Sequence, residues 1–327
     1  MKTIVLLELG GTISSHTYQK TSEFYNLKGE SISSFIDDFS STENINIQYE
    51  LFCNKISHEL TIRDLLSLGN KIQDIVDRPD VFGLVVSMGT NAMEDVAYFI
   101  GLVVNTRKSM VFTGAHFPQN NLAFDGRKNI FNALVVATSD CIQGAGVVIT
   151  LNDTVVSSRW ATKNKPGIPN DFSCEGFGIL GYVAGSVFHQ KMIPVYKHTF
   201  NSIFSIRSIR SLPKTAVLYA HFGFDIHYIQ HIIDNSSVEG IISAGYGKGY
   251  QTREASELLC KAATNGIPVV RCTRAGQSVT NIDINYDDKY GSIVASDFSP
   301  HKASLLLAVC LSQGLTPPEI QDVFEEY

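Results

Sequence analysis

The chain has 327 residues, more than one ordinary core organises, so two domains are expected. Hydrophobic residues make up 44% and charged residues only 18%, which leaves ample material for two cores and points to surface buried between subunits. Net charge is −6, from 26 basic and 32 acidic residues, and no basic cluster or stripe occurs, which argues against nucleic acid as the main partner.

Residues 3–9 read as a strand covered on both faces, running straight into Gly10, Gly11 and Thr12. Glycines there let the main chain turn sharply and let a ligand approach it. Thr12 is therefore expected at the carboxyl end of a first parallel strand, where open α/β sheets place their ligands. Lys2 and the apolar run after it imitate a secretory leader. The run is too short, Glu8 interrupts it, and no small-residue cleavage site follows. No stretch reaches membrane-spanning length. The six cysteines are scattered without a Cys-x-x-Cys pair, so neither a zinc ribbon nor a redox motif is expected, and several in apolar runs read as buried free thiols. A cytoplasmic, reducing setting fits these features.

Residues 14–33, with Tyr18, Phe24, Tyr25 and Gly29, have no sustained period and read as a lid or a loose hairpin. Tyr25 is close enough in sequence to fold back over Thr12, or to pack its ring under a loop. Residues 45–53 alternate like a strand, Ser57-His58-Glu59 form a loop, and residues 61–77 carry helical apolar spacing. Residues 81–86 are a further buried strand ending in Gly89-Thr90-Asn91, and an apolar helix over 92–104 follows. Thr90 and Asn91 thus sit between a strand end and the amides of a helix start. The pattern repeats with a strand at 109–113, the loop Gly114-Ala115-His116, a helix from 125 to about 141 and a strand at 146–151. Residues 152–163 read as irregular and end on Lys163. Such alternation implies right-handed crossovers and a mainly parallel sheet.

The rhythm breaks at 191–213, which is read as the linker between a domain at 1–190 and another at 214–327. In the latter, strands at 216–220, 238–243 and 267–272 alternate with helices at 226–234 and 253–264. Two more helices are expected near 301–311 and 317–324. A glycine-rich turn, 245–250, lacks the lysine-serine pair of a phosphate loop. His227 and His231 stand four apart on a helix without a third ligand, so no metal and no cofactor are expected.

Small or hydroxylic residues at three strand ends (Thr12, Thr90, Ala115), with Lys163 closing a fourth loop, suit amide hydrolysis. That reaction needs a nucleophile, a proton acceptor and donors for an oxyanion. A threonine is weak at its free pKa and needs a lysine or tyrosine beside it.

GGTI at 10–13, GTNAMEDVAYFI at 89–100, FTGAHFP at 112–118, LNDTVVSSRWATK at 151–163, SAGYGKG at 243–249 and the C-terminal DVFEEY resemble the bacterial L-asparaginase family, nearest its type II branch. The resemblance implies a two-domain α/β fold and an enzyme acting on a small amide. It also implies a homotetramer built as a dimer of intimate dimers, whose sites lie between one subunit's N-terminal domain and a neighbour's C-terminal domain. By the same resemblance Thr12 is the nucleophile, Tyr25 its neighbouring tyrosine, and Thr90 and Lys163 the second threonine with its lysine. Ser57 takes the substrate carboxylate, Ala115 offers its carbonyl to the leaving nitrogen, and Gly11, His58, Gly89 and Asn91 border the substrate. Tyr250 and Asn285 complete a neighbour's site.

Three positions depart from the family around the substrate's α-ammonium. Asn91 replaces an aspartate, Asn285 stands where a glutamate is aligned, and Tyr250 replaces a small polar residue; His58 also replaces a glutamine. A hydrogen bond to a charged group contributes about 1.5–3 kcal/mol, so losing two weakens ammonium binding by roughly 3–6 kcal/mol. The expected activity is therefore ammonia release from asparagine or, in preference, a related small acid monoamide, through a threonyl acyl-enzyme. Ordinary L-asparaginase activity is one alternative. A non-catalytic sensor on the same scaffold is the other.

Overall fold

The computed structural model describes every residue except 18–24, 27–28, 37–44, 165–171, 175–177, 236 and 277. The chain divides into two compact units, Met1–Ile206 and Arg207–Tyr327.

In the first unit the chain runs through β1 (Lys2–Glu8), β2 (His16–Thr17), β3 (Tyr25–Asn26), β4 (Ile45–Leu51), α1 (Ile62–Asp77), β5 (Val81–Ser87), α2 (Met93–Val103), β6 (Ser109–Thr113), α3 (Gly126–Thr138) and β7 (Val147–Leu151). It continues through β8 (Thr154–Ser157), β9 (Thr162–Lys163), β10 (Phe172–Ser173), β11 (Gly181–Ala184) and β12 (Val187–Gln190). The main sheet has the order β12-β11-β8-β7-β6-β5-β1-β4. Strands β4, β1, β5, β6 and β7 are parallel, and β8, β11 and β12 extend the sheet antiparallel. Residues 152–163 are thus not irregular throughout, because β8 turns back on β7 through Asn152 and Asp153, both with positive φ.

β1 has β4 on one edge and β5 on the other, so the chain first steps to one side of β1 and then returns to build the rest of the sheet on the other. The crossover direction reverses there, which opens a crevice at the carboxyl ends of β1 and β5. Their central residues, 4–7 and 84–86, are apolar and fully buried, as in a strand covered on both faces. Ile4, Leu6, Val85, Val111 and Val148 pack under Ile130, Ala133 and Leu134 of α3. The alternate residues Val5, Leu7, Val86 and Phe112 face the other side of the sheet.

The short antiparallel pair β2–β3 is a hairpin stem, Thr17 opposite Tyr25. The helix expected from residue 61 begins at Ile62, with Thr61 as N-cap in a reciprocal capping box with Asp64. The expected linker is mostly part of this unit. Phe204 and Ile206 are buried, Ile206 lies over Gly69 of α1, and Asn105 donates to the carbonyls of Thr199 and Phe204.

The second unit contains β13 (Thr215–Tyr219), α4 (His227–Asn235), β14 (Gly240–Gly245), α5 (Arg253–Thr264), β15 (Val269–Thr273), α6 (Ile284–Tyr290), β16 (Ser292–Val294), α7 (Pro300–Ser312) and α8 (Pro317–Glu326). Its sheet, β13-β14-β15-β16, is wholly parallel. Of the six cysteines, all free, Cys174, Cys272 and Cys310 are buried as expected, whereas Cys53 and Cys260 are half-buried and Cys141 is exposed. Among the described residues no helix is long and apolar enough to cross a membrane, and no group of three or more His, Cys, Asp or Glu could hold a metal ion.

Candidate active site

The turns after β1, β4, β5 and β6 meet with the end of β9. After β1 the chain turns through Gly11 (φ 91°, ψ −167°) into a 3-10 turn, Thr12–Ser14. Only glycine adopts that backbone without strain. A Cβ on Gly11 would lie 2.3 Å from the amide nitrogen of Gly89, so the turns bearing Thr12 and Thr90 are packed main chain to main chain. Gly89 in turn lies under Ser57, whose Oγ would stand 2.9 Å from a Cβ there. Ser57 is buried at the start of the 3-10 turn Ser57–Glu59, and its Oγ accepts from the amide of Ala92 at 3.3 Å, just before α2. On the far side, a Cβ on Gly114 would approach the Met88 carbonyl at 2.4 Å and Thr90 Cγ2 at 3.3 Å, bringing Ala115 to the same rim.

Lys163 closes the set. Its Nζ donates to Thr90 Oγ1 at 2.7 Å and to Asn91 Oδ1 at 2.9 Å. The lysine fixes the direction of the Asn91 amide: its oxygen faces Nζ, and its NH2 is turned towards His58 Nδ1, 3.4 Å away. Asn91 and His58 are exposed at the mouth while Thr90 and Ser57 are buried. Thr12 is half-buried. Of the residues singled out from sequence, Gly11, Ser57, His58, Gly89, Thr90, Asn91 and Lys163 are linked to one another by these contacts. Thr12 and Ala115 enter as chain neighbours of Gly11 and Gly114. Tyr25 lies in β3, and its side chain falls outside the described part of the structure.

Tyr250 and Asn285 belong to the second unit. The Tyr250 hydroxyl donates to Asp283 Oδ2 at 2.6 Å. That bond is the main cause holding the Asp283 carboxyl below its ordinary range and pushing the Tyr250 phenol up. Asp283 caps α6, and Asn285 is exposed on its first turn. A carboxylate, that of Asp283, therefore stands beside Tyr250 within this unit. Beneath it, buried Arg271 makes a two-pronged bond to Asp287, with both distances 2.7 Å, and donates to the Lys248 carbonyl at 2.5 Å, which fixes the glycine-rich turn. The sequence offered one signal for Asp283, an acid immediately before a short helix, but its partner Tyr250 lies 33 residues away.

A second feature missed from sequence lies behind Thr12. Gln119 Nε2 donates to the carbonyls of Ile13 at 2.9 Å and Glu30 at 2.7 Å, and its Oε1 accepts from the Glu30 amide at 2.7 Å. It ties the turn bearing Thr12 to the chain that follows β3.

Residues 3–194 match the family described as "Asparaginase, N-terminal", and residues 214–324 match "Glutaminase/Asparaginase C-terminal domain". The chain belongs to the asparaginase family. It is 32% identical over 326 residues to the "Probable L-asparaginase periplasmic" of Haemophilus influenzae, covering 99% of this chain and 93% of that one. To the "Glutaminase-asparaginase" of Pseudomonas fluorescens it is 30% identical, covering 99% of this chain and 90% of that one. The crystal structure titled "Probable Cytoplasmic L-asparaginase from Campylobacter jejuni" superposes with a TM-score of 0.90 at 27% identity, covering 100% of both chains. The two-domain α/β architecture is that of an asparaginase, and the protein is an asparaginase-like amidohydrolase.

Proposed function

We propose that this asparaginase-family chain releases ammonia from the carboxamide of a small acid monoamide through a threonyl acyl-enzyme. Thr12 Oγ1 attacks the carboxamide carbon, and its proton passes to Tyr25 or Lys163. The tetrahedral intermediate then expels ammonia, which takes that proton as the C–N bond breaks. Water cleaves the threonyl ester, releasing the acid and restoring the hydroxyl. The amide of Thr90 donates to the oxyanion, Ser57 receives the substrate carboxylate, and the Ala115 carbonyl accepts from the leaving nitrogen.

The observation that carries this reading is Lys163 Nζ bonded to Thr90 Oγ1 and Asn91 Oδ1, on a loop packed against the turn of Thr12 through Gly11 and Gly89. The same bond supports the substrate preference. The Asn91 oxygen already accepts from Lys163, and its amide NH2 is a donor, so it offers no negative charge to an ammonium group. A desolvated, unpaired ammonium is costly, and an amine-free amide such as succinamate avoids that cost. Asp283 favours a second reading, ordinary L-asparaginase, because a carboxylate beside Tyr250 in a neighbour could receive the amine.

Ammonia release measured across asparagine, glutamine, succinamate and N-acylated asparagine separates the two. A higher kcat/KM for an amine-free or acylated amide supports the first, and a preference for asparagine supports the second. No turnover of any amide leaves only a binding protein. Thr12→Ala is expected to abolish turnover in a folded protein. The same reading includes a homotetramer, a dimer of intimate dimers in which Tyr250 and Asn285 complete a neighbour's site, and a cytoplasmic location. A fully active monomer by light scattering contradicts the assembly, and recovery of the protein outside the cytoplasm contradicts the location.

A further inference from the structure

Glu8 is the last residue of β1 and is buried to 2% exposure, directly after the apolar, fully buried run of residues 4–7. A carboxylate in such a place needs compensating donors. Three hydroxyls provide them. Ser14 Oγ donates to Oε1 across a short contact, while Ser31 Oγ at 2.9 Å and Tyr49 Oη at 2.7 Å donate to Oε2. Burial, helped by the bond to Glu8, pushes the Tyr49 phenol up to about 12, so this hydroxyl stays protonated and able to donate.

The donors are not placed at random. Ser14 ends the 3-10 turn that begins at Thr12. Ser31 follows the exit of the hairpin that contains Tyr25, and Tyr49 belongs to the adjacent strand β4. Around the same point the Gly29 amide donates to the Ser14 carbonyl at 3.1 Å, and Gln119 spans Ile13 and Glu30. Entry and exit of the Tyr25 hairpin are thus clasped together, with the carboxylate at the centre.

We infer that Glu8 is a positioning residue for the amide hydrolysis: it holds the Thr12 turn and the stem of the Tyr25 hairpin in one register through Ser14 and Ser31. The inference rests on Thr12 being the nucleophile. Glu8 touches neither substrate nor reacting atoms, and its effect passes through the placement of other groups, where a shift of about 1 Å costs on the order of 10²-fold in rate.

The test uses Glu8→Gln, Ser14→Ala and their double variant in the full-length protein, on whichever amide is turned over best. Glu8→Gln keeps shape but exchanges acceptor lone pairs for donors that face hydroxyls. Its kcat is expected to fall about 10–100-fold with KM within about twofold. Ser14→Ala should act in the same direction, and the double variant should be no worse than Glu8→Gln alone, as for residues in one network. A folded Glu8→Gln protein with unchanged kcat overturns the inference, as does a loss of thermal stability with unchanged kcat. If Glu8→Gln does not fold, Ser31→Ala, at an exposed position, carries the same kcat-against-KM test. Thr12→Ala with undiminished turnover removes the nucleophile, and the inference with it. Thr12→Ala inactive beside a fully active Glu8→Gln removes the inference alone.

Discussion

Gly11 and Gly89 touch main chain to main chain, and a Cβ on Gly11 would lie 2.3 Å from the nitrogen and 2.4 Å from the Cα of Gly89. This contact, more than any side chain, sets the turn of Thr12 beside the turn of Thr90. Gly11 also occupies a backbone region that other residues enter only at about 1–3 kcal/mol. Gly11→Ala is therefore expected to cost at least that much stability and to separate the two turns. Thermal unfolding should show a lowered Tm, and surviving folded protein should have lost most of its ammonia release. An alanine variant with native Tm and kcat would show that the contact is dispensable.

Lys163 bonds two residues of one loop, the hydroxyl of Thr90 and the neutral amide of Asn91. Lys163→Met keeps the aliphatic stem and removes the amine. General acid–base groups typically contribute 10²–10⁴-fold, so kcat is expected to drop by about 10²-fold or more while the fold is retained. Thr90→Val removes the other end of the bond and should fall in the same direction. Steady-state kinetics with circular dichroism on both variants decide this. Full activity in Lys163→Met excludes the lysine from proton transfer.

Asp64 supports the site from a distance. It accepts from the amide and the hydroxyl of Thr61 and pairs with Lys55, whose own amide donates to the carbonyl of Leu9 just before the glycines. Lys55 first, then the Thr61 donors, lower the Asp64 carboxyl to about 2. A depressed folded-state pKa contributes stability that is fully present above the unfolded value near 4 and is lost as pH falls towards 2. Asp64→Asn is expected to cost about 1 kcal/mol at neutral pH, as capping losses do. It should also flatten the part of the acid-unfolding curve between about pH 4 and 2 that Asp64 supplies. Urea titrations at several pH values measure both.

How much of this was legible beforehand follows from where each interaction lives along the chain. β1, β5 and β6 announce themselves as short apolar runs, and Gly-Gly-Thr and Gly-Thr-Asn directly follow the first two, so the crevice was readable locally. α1 carries its own cap and apolar stripe. By contrast β8, β11 and β12 are only four residues each, with polar or glycine positions, so their pairing depends on partners supplied by the fold. α6 reads INYDDKY, with no apolar face, and is held by Arg271 from β15. The 191–206 segment looked like a linker because its anchors, Phe204 and Ile206, are isolated in sequence. Glu8 was visible as an acid interrupting an apolar strand. Its three partners, at 14, 31 and 49, were not visible, because nothing in the sequence brings them to one point.

Specificity turns on which of two residues, if either, supplies a charge to the substrate amine. Asn91 sits at the mouth of the site in the first unit with its oxygen already accepting from Lys163. Asp283 sits in the second unit as the acceptor of the Tyr250 hydroxyl, and its carboxyl is held below the usual range, so it is charged at working pH. If the amine position has no anion, Asn91→Asp should raise kcat/KM for asparagine by about 10–10²-fold, the worth of one charged hydrogen bond. It should lower kcat/KM for succinamate or leave it unchanged, and Asp283→Asn should leave the native preference alone. If Asp283 serves the amine, Asp283→Asn should instead cut asparagine turnover by a similar factor while sparing succinamate. The Tyr250→Phe variant separates a direct role from an indirect one. Removing the hydroxyl frees the carboxylate from its 2.6 Å bond, so a carboxylate that binds the amine should then bind it more tightly, and KM for asparagine should fall. A native protein that prefers asparagine and is indifferent to all three substitutions would exclude both residues from amine recognition.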